Sequence, residues 1–376
     1  MDLDLLGLKP GKEGVAILVG PNGSGKSNYL KRLAEKLPYK GISVVSNTAR
    51  DRFAGVQNLR RISAFNSPRA TVKQCVARAL DEPSARFYEA GAVLEYCGYR
   101  PRFGFSTSGA LVRGLQGDGA TSSDQESAIA YLASHDPQQV IWIDQLESKL
   151  SFSLGRDFSA VIRNERWLRR QGYLAEPIQV HLENRSGIVM ELHDASSGQL
   201  SLISSLVFLS TADGHPLTFL IDEPENSLHP NWQREYVERV MTSTYYRQPH
   251  VVIATHAPLI VTGALAWSKD IVGVYQMIEG EPRRLPLVDT TPTSIEEVLW
   301  RAFDVVTPAN HFVSEQLADL VTRLGQGQVS RETALSVVRD MNRESFDPDQ
   351  REFFEAVVEL IGQIGSGRRP PDIDNG

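Results

Sequence analysis

Leu217–Pro230, LTFLIDEPENSLHP, is the stretch on which the fold turns. Leu217 to Ile221 are five apolar or β-favouring residues in a row, the pattern of a strand buried on both faces of a parallel sheet. They carry two adjacent carboxylates, Asp222 and Glu223, to the strand's C-terminal end, where open α/β sheets bind ligands. A core strand has no packing reason to finish in two acids. The pair suits a cation and a reaction, whereas taken alone it reads equally well as two solvated acids opening a turn before Pro224.

A second short apolar run, Val15–Gly20, feeds into Gly20-Pro21-Asn22-Gly23-Ser24-Gly25-Lys26-Ser27. This is the phosphate loop G-x-x-x-x-G-K-[ST], set between a predicted strand and a predicted helix as the pattern requires. Gly23 and Gly25 let the backbone turn its N–H groups toward phosphate oxygens. The helix that follows, with Leu30, Leu33 and Leu37 on one face, brings its positive end to the same spot. Lys26 is placed to reach the β- and γ-phosphates of a nucleotide and Ser27 to bind Mg²⁺. Asn22, Gly23, Ser24, Gly25, Lys26 and Ser27 are therefore expected to form a nucleoside triphosphate site, with Ser27 as a metal ligand.

The chain has 376 residues, 41% of them hydrophobic, enough for one large α/β domain with additions or for two ordinary ones. A net charge of −7 argues against coating nucleic acid by bulk charge. Cys75 and Cys97 are too few for a disulfide framework or a cysteine zinc site and read as small core residues. The start, MDLDLLGL, lacks the basic opening of a secretory signal, and no stretch approaches the roughly 18 apolar residues of a membrane helix. The expectation is a soluble, cytoplasmic protein with no membrane partner.

Around these motifs the chain reads as an ATPase core over 1–54 and 176–289, an inserted lobe over 55–175, a C-terminal helical region over 290–364 and a disordered tail over 365–376. Ile42–Val45 is a strand running into the polar loop Thr48–Phe53. Within the lobe, Thr71–Leu80 and Phe158–Gln171 read as helices, Gln138–Ile143 as a strand, and Gly104–Gly119 as loop. The second helix carries Arg163, Arg166, Arg169 and Arg170 around Trp167: a phosphate- or DNA-contacting face, or a solvated one diluted by Glu165. Further on, Ser196-Ser197-Gly198-Gln199 precedes the apolar segment Leu200–Ser210, offering hydroxyls, a bare glycine backbone and a helix N-terminus to an anion, or simply a helix cap. His250–Thr255 is another buried strand, delivering His256 beside the other strand ends. From Thr293 and Ser294 the composition turns helical. The stripes Leu317, Leu320, Val321, Leu324 and Phe353, Phe354, Val357, Leu360, Ile361 are core or a partner interface.

Taken in order, GPNGSGKS, SSGQ, LIDEPENSLHP and ATHAP resemble the soluble branch of the ATP-binding cassette class, over about 1–60 and 175–285. That branch includes chromosome-maintenance and recombination ATPases and many bacterial defence ATPases. The resemblance implies an α/β phosphate-loop fold of the cassette type, ATP and Mg²⁺ as ligands, and Asp222 as the Mg²⁺-associated acid. It further implies Glu223 as general base and His256 as the switch histidine, both catalytic. Ser196, Ser197, Gly198 and Gln199 match the signature motif, which acts in trans, so a head-to-tail homodimer or higher oligomer is implied, with Asn226–His229 crossing its interface. The signature here reads Ala-Ser-Ser-Gly-Gln rather than Leu-Ser-Gly-Gly-Gln. Residues 1–19 hold no aromatic for adenine, leaving Phe53 as a substitute, and Gln57 is the candidate for the glutamine loop.

EPENSLHP followed by ATHAP, with Ser46–Phe53 after a strand, looks most like anti-phage ATPases of the Septu and retron-associated kinds and the ATPase half of overcoming-lysogenization-defect nucleases. The ninety residues after Pro286 hold no acidic cluster of the nuclease kind, so an effector, expected to be a nuclease, is a separate chain docking on the C-terminal helices. The competing reading is a DNA-repair or recombination ATPase that clamps DNA through Arg163–Arg170. A transporter subunit fits least, since nothing resembles a membrane-coupling loop.

Overall fold

The structure, a computed structural model, describes every residue except 1, 38–40, 49, 58, 82–85, 108–119, 121, 138, 145–148, 215, 245–246, 286–294, 304–310, 345–347 and 365–376. The chain opens with α1 (Asp2–Leu5), β1 (Gly14–Val19), α2 (Lys26–Lys36), β2 (Ile42–Ser46) and β3 (Arg60–Ser63). Next come α3 (Pro68–Asp81), α4 (Arg86–Tyr96), β4 (Arg102–Ser106), α5 (Ser123–Ser134), β5 (Ile141–Asp144) and α6 (Lys149–Arg170). Then follow β6 (Gln179–Glu183), β7 (Val189–Glu191), α7 (Ser197–Ser210), β8 (Thr218–Asp222), α8 (Pro230–Thr242), β9 (His250–Ala254), α9 (Pro258–Trp267), β10 (Val272–Ile278) and β11 (Glu281–Arg284). The C-terminal region is α10 (Ile295–Phe303), α11 (His311–Gly325), α12 (Arg331–Glu344) and α13 (Pro348–Ile364).

The large sheet has the order β11-β10-β1-β9-β8-β2-β3. All its pairs are parallel except the edge hairpin β10–β11. Its central strands are buried along their whole length because helices cover both faces. Ala16, Leu18, Val44, Leu220 and Val252 pack beneath Tyr29, Leu30 and Leu33 of α2. The alternate residues Val15, Ile17, Phe219, Ile221, Val251 and Ile253 face α7, α8 and α9. Register then decides the chemistry. Leu18 lies opposite Ala254, Ala254 opposite Asp222 and Asp222 opposite Ser46, so the loops after β1, β9, β8 and β2 leave the sheet side by side.

A four-stranded antiparallel sheet, β5-β4-β6-β7, forms the core of the additional lobe with α3 to α6. It draws β4 and β5 from residues 55–175 and β6 and β7 from beyond, while β3, within that range, joins the large sheet. The loop expected over Gly104–Gly119 is a strand at its start. Gly104 pairs with Trp142, and a Cβ there would meet the indole at 2.8 Å, so this glycine makes room for a large neighbour instead of breaking the strand. Residues 108–119 of that expected loop, Gln138, Thr293, Ser294 and the 365–376 tail lie outside the described residues.

Most of the C-terminal apolar stripes packs as core, whereas Leu360 is half-buried outside that cluster and the Phe353 side chain is not among those described. Leu317, Ala334, Val338, Met341, Phe354, Val357 and Ile361 close on one another in a cluster of their own, with Leu320, Val321 and Leu324 against it. No helix among the described residues is long and apolar enough to cross a membrane. Helices α8 and α9 approach so closely that a Cβ on Gly263 would fall 1.8 Å from the Arg234 carbonyl oxygen. Gly263→Ala is therefore expected to destabilise the fold by about 3 kcal/mol or more, since backbone has to move. An unchanged thermal melting midpoint would contradict this packing.

Candidate active site

The end of β1 passes straight into the phosphate loop. Gly23 (φ 89) and Gly25 (φ 97) adopt the left-handed conformation, and a Cβ on Gly25 would lie 3.0 Å from the Gly280 Cα at the tip of the β10–β11 hairpin. Both positions thus require glycine. Gly25 is the N-cap of α2, so the unsatisfied N–H groups and positive pole of that helix face the loop. Lys26 is 5% exposed and donates to the carbonyls of Gly20 (2.7 Å) and Pro21 (3.2 Å). Burial lowers its pKa, opposed by the negative charges of Glu223, Glu225 and Asp222.

Asp222 is fully buried at the end of β8, and its Oδ1 accepts from the Ser27 hydroxyl at 2.9 Å. Burial pushes its carboxyl up to about 6; the Ser27 hydrogen bond opposes that shift and the Glu223 charge adds to it. Its Oδ2 is buried with no hydrogen-bond partner among the described residues. A carboxylate oxygen without a partner beside a hydroxyl is the hard donor set that Mg²⁺ takes. Residues and metal fit.

Glu223 leaves the strand in a left-handed conformation (φ 53) that is unfavourable for a side chain, while its N–H still donates to Ala254 O at 2.9 Å. That turn sets its carboxylate at the rim, where Oε2 contacts His256 Nδ1. His256 Nδ1 also lies 3.1 Å from Glu225 Oε1. The proton belongs on Nδ1, between two carboxylates, which leaves Nε2 as the nitrogen free for the cleft.

Glu225 is the residue that the sequence reading passed over. It is 6% exposed and accepts from the Thr255 hydroxyl and the His256 backbone N–H, each at 2.7 Å. Burial raises its pKa, and these hydrogen bonds oppose the rise. A buried acid in this position fixes both the backbone and the ring of His256. The alternation Asp222–Glu223–x–Glu225 was the available signal, but a third acid beyond Pro224 reads as solvated turn. Glu225→Ala is expected to lower kcat about 10–100-fold with a smaller change in KM, since the residue's hydrogen bonds go to Thr255 and His256 and orient the histidine. Equal loss in KM would point to a general disturbance of the site.

Asn22, Gly23, Ser24, Gly25, Lys26, Ser27, Glu223 and His256 line one cleft, and Asn28, Thr48, Arg50, Arg52 and Asn226 complete it. Arg52 donates to Asn28 Oδ1 at 2.7 Å, and Asn226 Nδ2 to Asn47 O at 2.9 Å. Phe53 is wholly buried in the core under α2 and is no platform for a base, which corrects that expectation. Gln57 is exposed and absent from the cleft lining. Ala49 lies outside the described residues.

Ser196, Ser197, Gly198 and Gln199 stand apart from the cleft of their own chain. Ser196 caps α7: its Oγ accepts from the Gln199 N–H at 3.3 Å while Gln199 Oε1 accepts from the Ser196 N–H at 3.1 Å. Gly198 is pressed on the segment after the acids, for a Cβ there would lie 2.5 Å from Ser227 O. Ser197 shares a pocket with Asn226 and Ser227. The arginine group divides. Arg163 is taken up by Asp81 and Asp124, whereas Arg166, Arg169 and Arg170 are exposed.

Over residues 116–262 the chain is similar to the family described as "AAA domain, putative AbiEii toxin, Type IV TA system". No curated protein matches it in sequence. Among solved structures there are matches at low identity. The SMC head domain from Thermotoga maritima matches at 14% identity and a TM-score of 0.24, covering 30% of this chain and 40% of that one. The chain thus spans less than half of that head domain. Another match is cbiO1 from Clostridium perfringens, part of the ABC transporter complex cbiONQ (13% identity, TM-score 0.31, 85% of this chain and 88% of that chain). An SMC head bound to the C-winged helix domain of ScpA also matches (15%, 0.30, 74% and 91%).

Proposed function

We propose that the chain binds Mg²⁺-ATP in this cleft and hydrolyses it, and that two copies closing head to tail on two nucleotides regulate a separate effector in bacterial anti-phage defence. One observation carries the reading. A phosphate loop, Glu223 and His256 line one cleft from three adjacent strands of one sheet, with the buried Asp222 bonded to the loop's Ser27 and the buried Glu225 against His256 behind them.

The loop N–H groups and Lys26 receive the phosphates. Ser27 and Asp222 would hold Mg²⁺, which when bound supplies neutralising charge to the phosphate oxygens. Glu223 accepts a proton from the attacking water, and Lys26 meets the charge that develops on the leaving oxygen. His256, held by Glu225, keeps Glu223 in place and offers Nε2 to the γ-phosphate side. Ser196 and Ser197 are exposed on a helix N-terminus and face no nucleotide in their own chain, which supports a role in trans. The family description, which names a toxin and a toxin–antitoxin system, supports the defence reading. With Leu317 of α11 and Phe354, Val357 and Ile361 of α13 packed in their own core, an effector would meet the outer faces of those helices.

Phosphate release by the purified protein, with and without Mg²⁺, tests the enzyme reading. No turnover of ATP with Mg²⁺ would overturn it. Phage challenge of cells carrying the wild type or Lys26→Ala, with its genomic neighbours, tests the defence reading. Equal protection by both would sink it.

The Asp222 shift sets a pH dependence. Its folded carboxyl stands near 6 against an ordinary 3.8, so the fold holds this proton tightly. The group's contribution to stability is fullest below 3.8 and is lost as pH rises through about 6. Mg²⁺ needs the ionised form, so Mg²⁺-ATP affinity is expected to fall below about pH 6 while the nucleotide-free fold loses no stability through this group. Calorimetric titration across this range checks it; an equally steep fall in Asp222→Asn would assign the effect elsewhere.

A further inference from the structure

We propose that the cleft between the first turn of α3 and the last turns of α6 binds the phosphodiester backbone of a nucleic acid. Ser67, Arg69, Ala70 and Lys73 form one wall, and Glu165, Arg166, Arg169 and Arg170 the other. Five cations thus face one carboxylate in a chain whose net charge is −7. That carboxylate is already spent. Both oxygens of Glu165 accept from Lys73 Nζ (2.6 and 2.5 Å), and Oε1 also accepts from the Ile178 N–H at 2.8 Å. Arg69 donates to Gln179, a neutral acceptor, so its charge is uncompensated. Arg166, Arg169 and Arg170 are exposed and have no acidic partner among the described residues.

A solvated helix face normally mixes its signs, and this lobe shows the contrast. Arg163, less than one turn before Arg166, is bonded to Asp81 and Asp124 and is spent on structure. Arg169 and Arg170 suit the negative end of α6, but Arg69 and Arg166 have no such excuse. Residues three and four apart on a helix lie about 5–6 Å from one another, so Arg166, Arg169 and Arg170 make a short row of guanidinium groups. The cleft is open to solvent rather than closed around a small ion. A row of unpaired arginines along an open cleft fits successive phosphates of a polymer. The site also has a route to the nucleotide. Pro68 and Thr71 of α3 line the pocket that holds Ser197 and Asn226, and Asn226 lines the nucleotide cleft. Binding here requires no nucleotide turnover, so it stands apart from the ATPase reading.

The test is fluorescence anisotropy of the full chain, without nucleotide, against labelled duplex DNA, single-stranded DNA and RNA over a range of salt. At least one is expected to bind, with an affinity that falls steeply as salt rises. Arg166→Ala/Arg169→Ala/Arg170→Ala is expected to weaken binding by about 10-fold or more and to reduce the log–log salt slope by about 2–3. The charge-conserving Arg166→Lys/Arg169→Lys/Arg170→Lys variant keeps the slope. Arg163→Ala keeps it as well, though it destabilises the lobe. These three arginines are exposed, so a circular dichroism melt separates loss of contact from loss of fold. Which polymer binds identifies the source of the phosphates. No binding by any of the three at low salt would overturn the proposal. So would an alanine variant with unchanged affinity and slope.

Discussion

Glu223→Gln is expected to lower ATP turnover by about 10²–10⁴-fold while leaving ATP affinity close to that of the wild type. The amide keeps the volume and still accepts a hydrogen bond from His256 Nδ1, but it cannot take a proton from water. On the proposed reading affinity is spared because the loop, Lys26 and the Ser27–Asp222 pair receive the phosphates and metal, and their hydrogen bonds do not involve Glu223. The substitution also relieves Asp222 of a neighbouring negative charge, one of the influences that raise its pKa. Metal binding is therefore expected to hold or improve. Stopped-flow binding with a fluorescent ATP analogue, paired with steady-state phosphate release, separates the two parameters. A variant that keeps more than about a tenth of wild-type turnover would remove Glu223 from the role of base.

The second large effect is expected of Lys26→Ala. The ammonium is buried and faces three acids, Asp222, Glu223 and Glu225, whose negative charge it alone offsets from the phosphate loop. On the proposed reading its loss removes the cation that would meet the β- and γ-phosphates and leaves those acids facing an incoming polyanion. ATP affinity is expected to fall by about 2–5 kcal/mol, roughly 30-fold or more. Lys26→Arg is not a rescue. Lys26 Nζ donates as a compact point charge to the Gly20 and Pro21 carbonyls, a geometry that a planar guanidinium with its forked donors does not reproduce. Isothermal titration with ATP checks both variants. Retained affinity in the alanine variant would place the phosphates elsewhere.

The candidate cleft was largely legible in the sequence because its determinants are local. A phosphate loop needs one strand, two glycines and one helix start, and all lie within Val15–Lys36. The end of β8 is similarly explicit, since Asp222 and Glu223 close an uninterrupted apolar run. What escaped depended on contacts between distant segments. Glu225 looks like turn chemistry until β9 brings Thr255 and His256 against it. Phe53, drawn as a base platform, is buried because the loop after β2 folds back under α2. The arginine row could be counted but not sorted. Asp81 and Asp124, which claim Arg163, are 82 and 39 residues away from it. Gly104 and its neighbours read as loop because a glycine in a strand makes sense only once Trp142 is placed opposite.

Light scattering of Glu223→Gln with and without Mg²⁺-ATP tests the central claim most directly, because that variant is expected to bind the nucleotide without hydrolysing it. The expected result is a doubling of mass on adding Mg²⁺-ATP, abolished by Ser196→Arg, which blocks the exposed cap of α7 without touching the cleft of its own chain. A mass indifferent to Mg²⁺-ATP, in protein shown to bind it, would contradict closure in trans and leave Ser196–Gln199 as the cap of a helix.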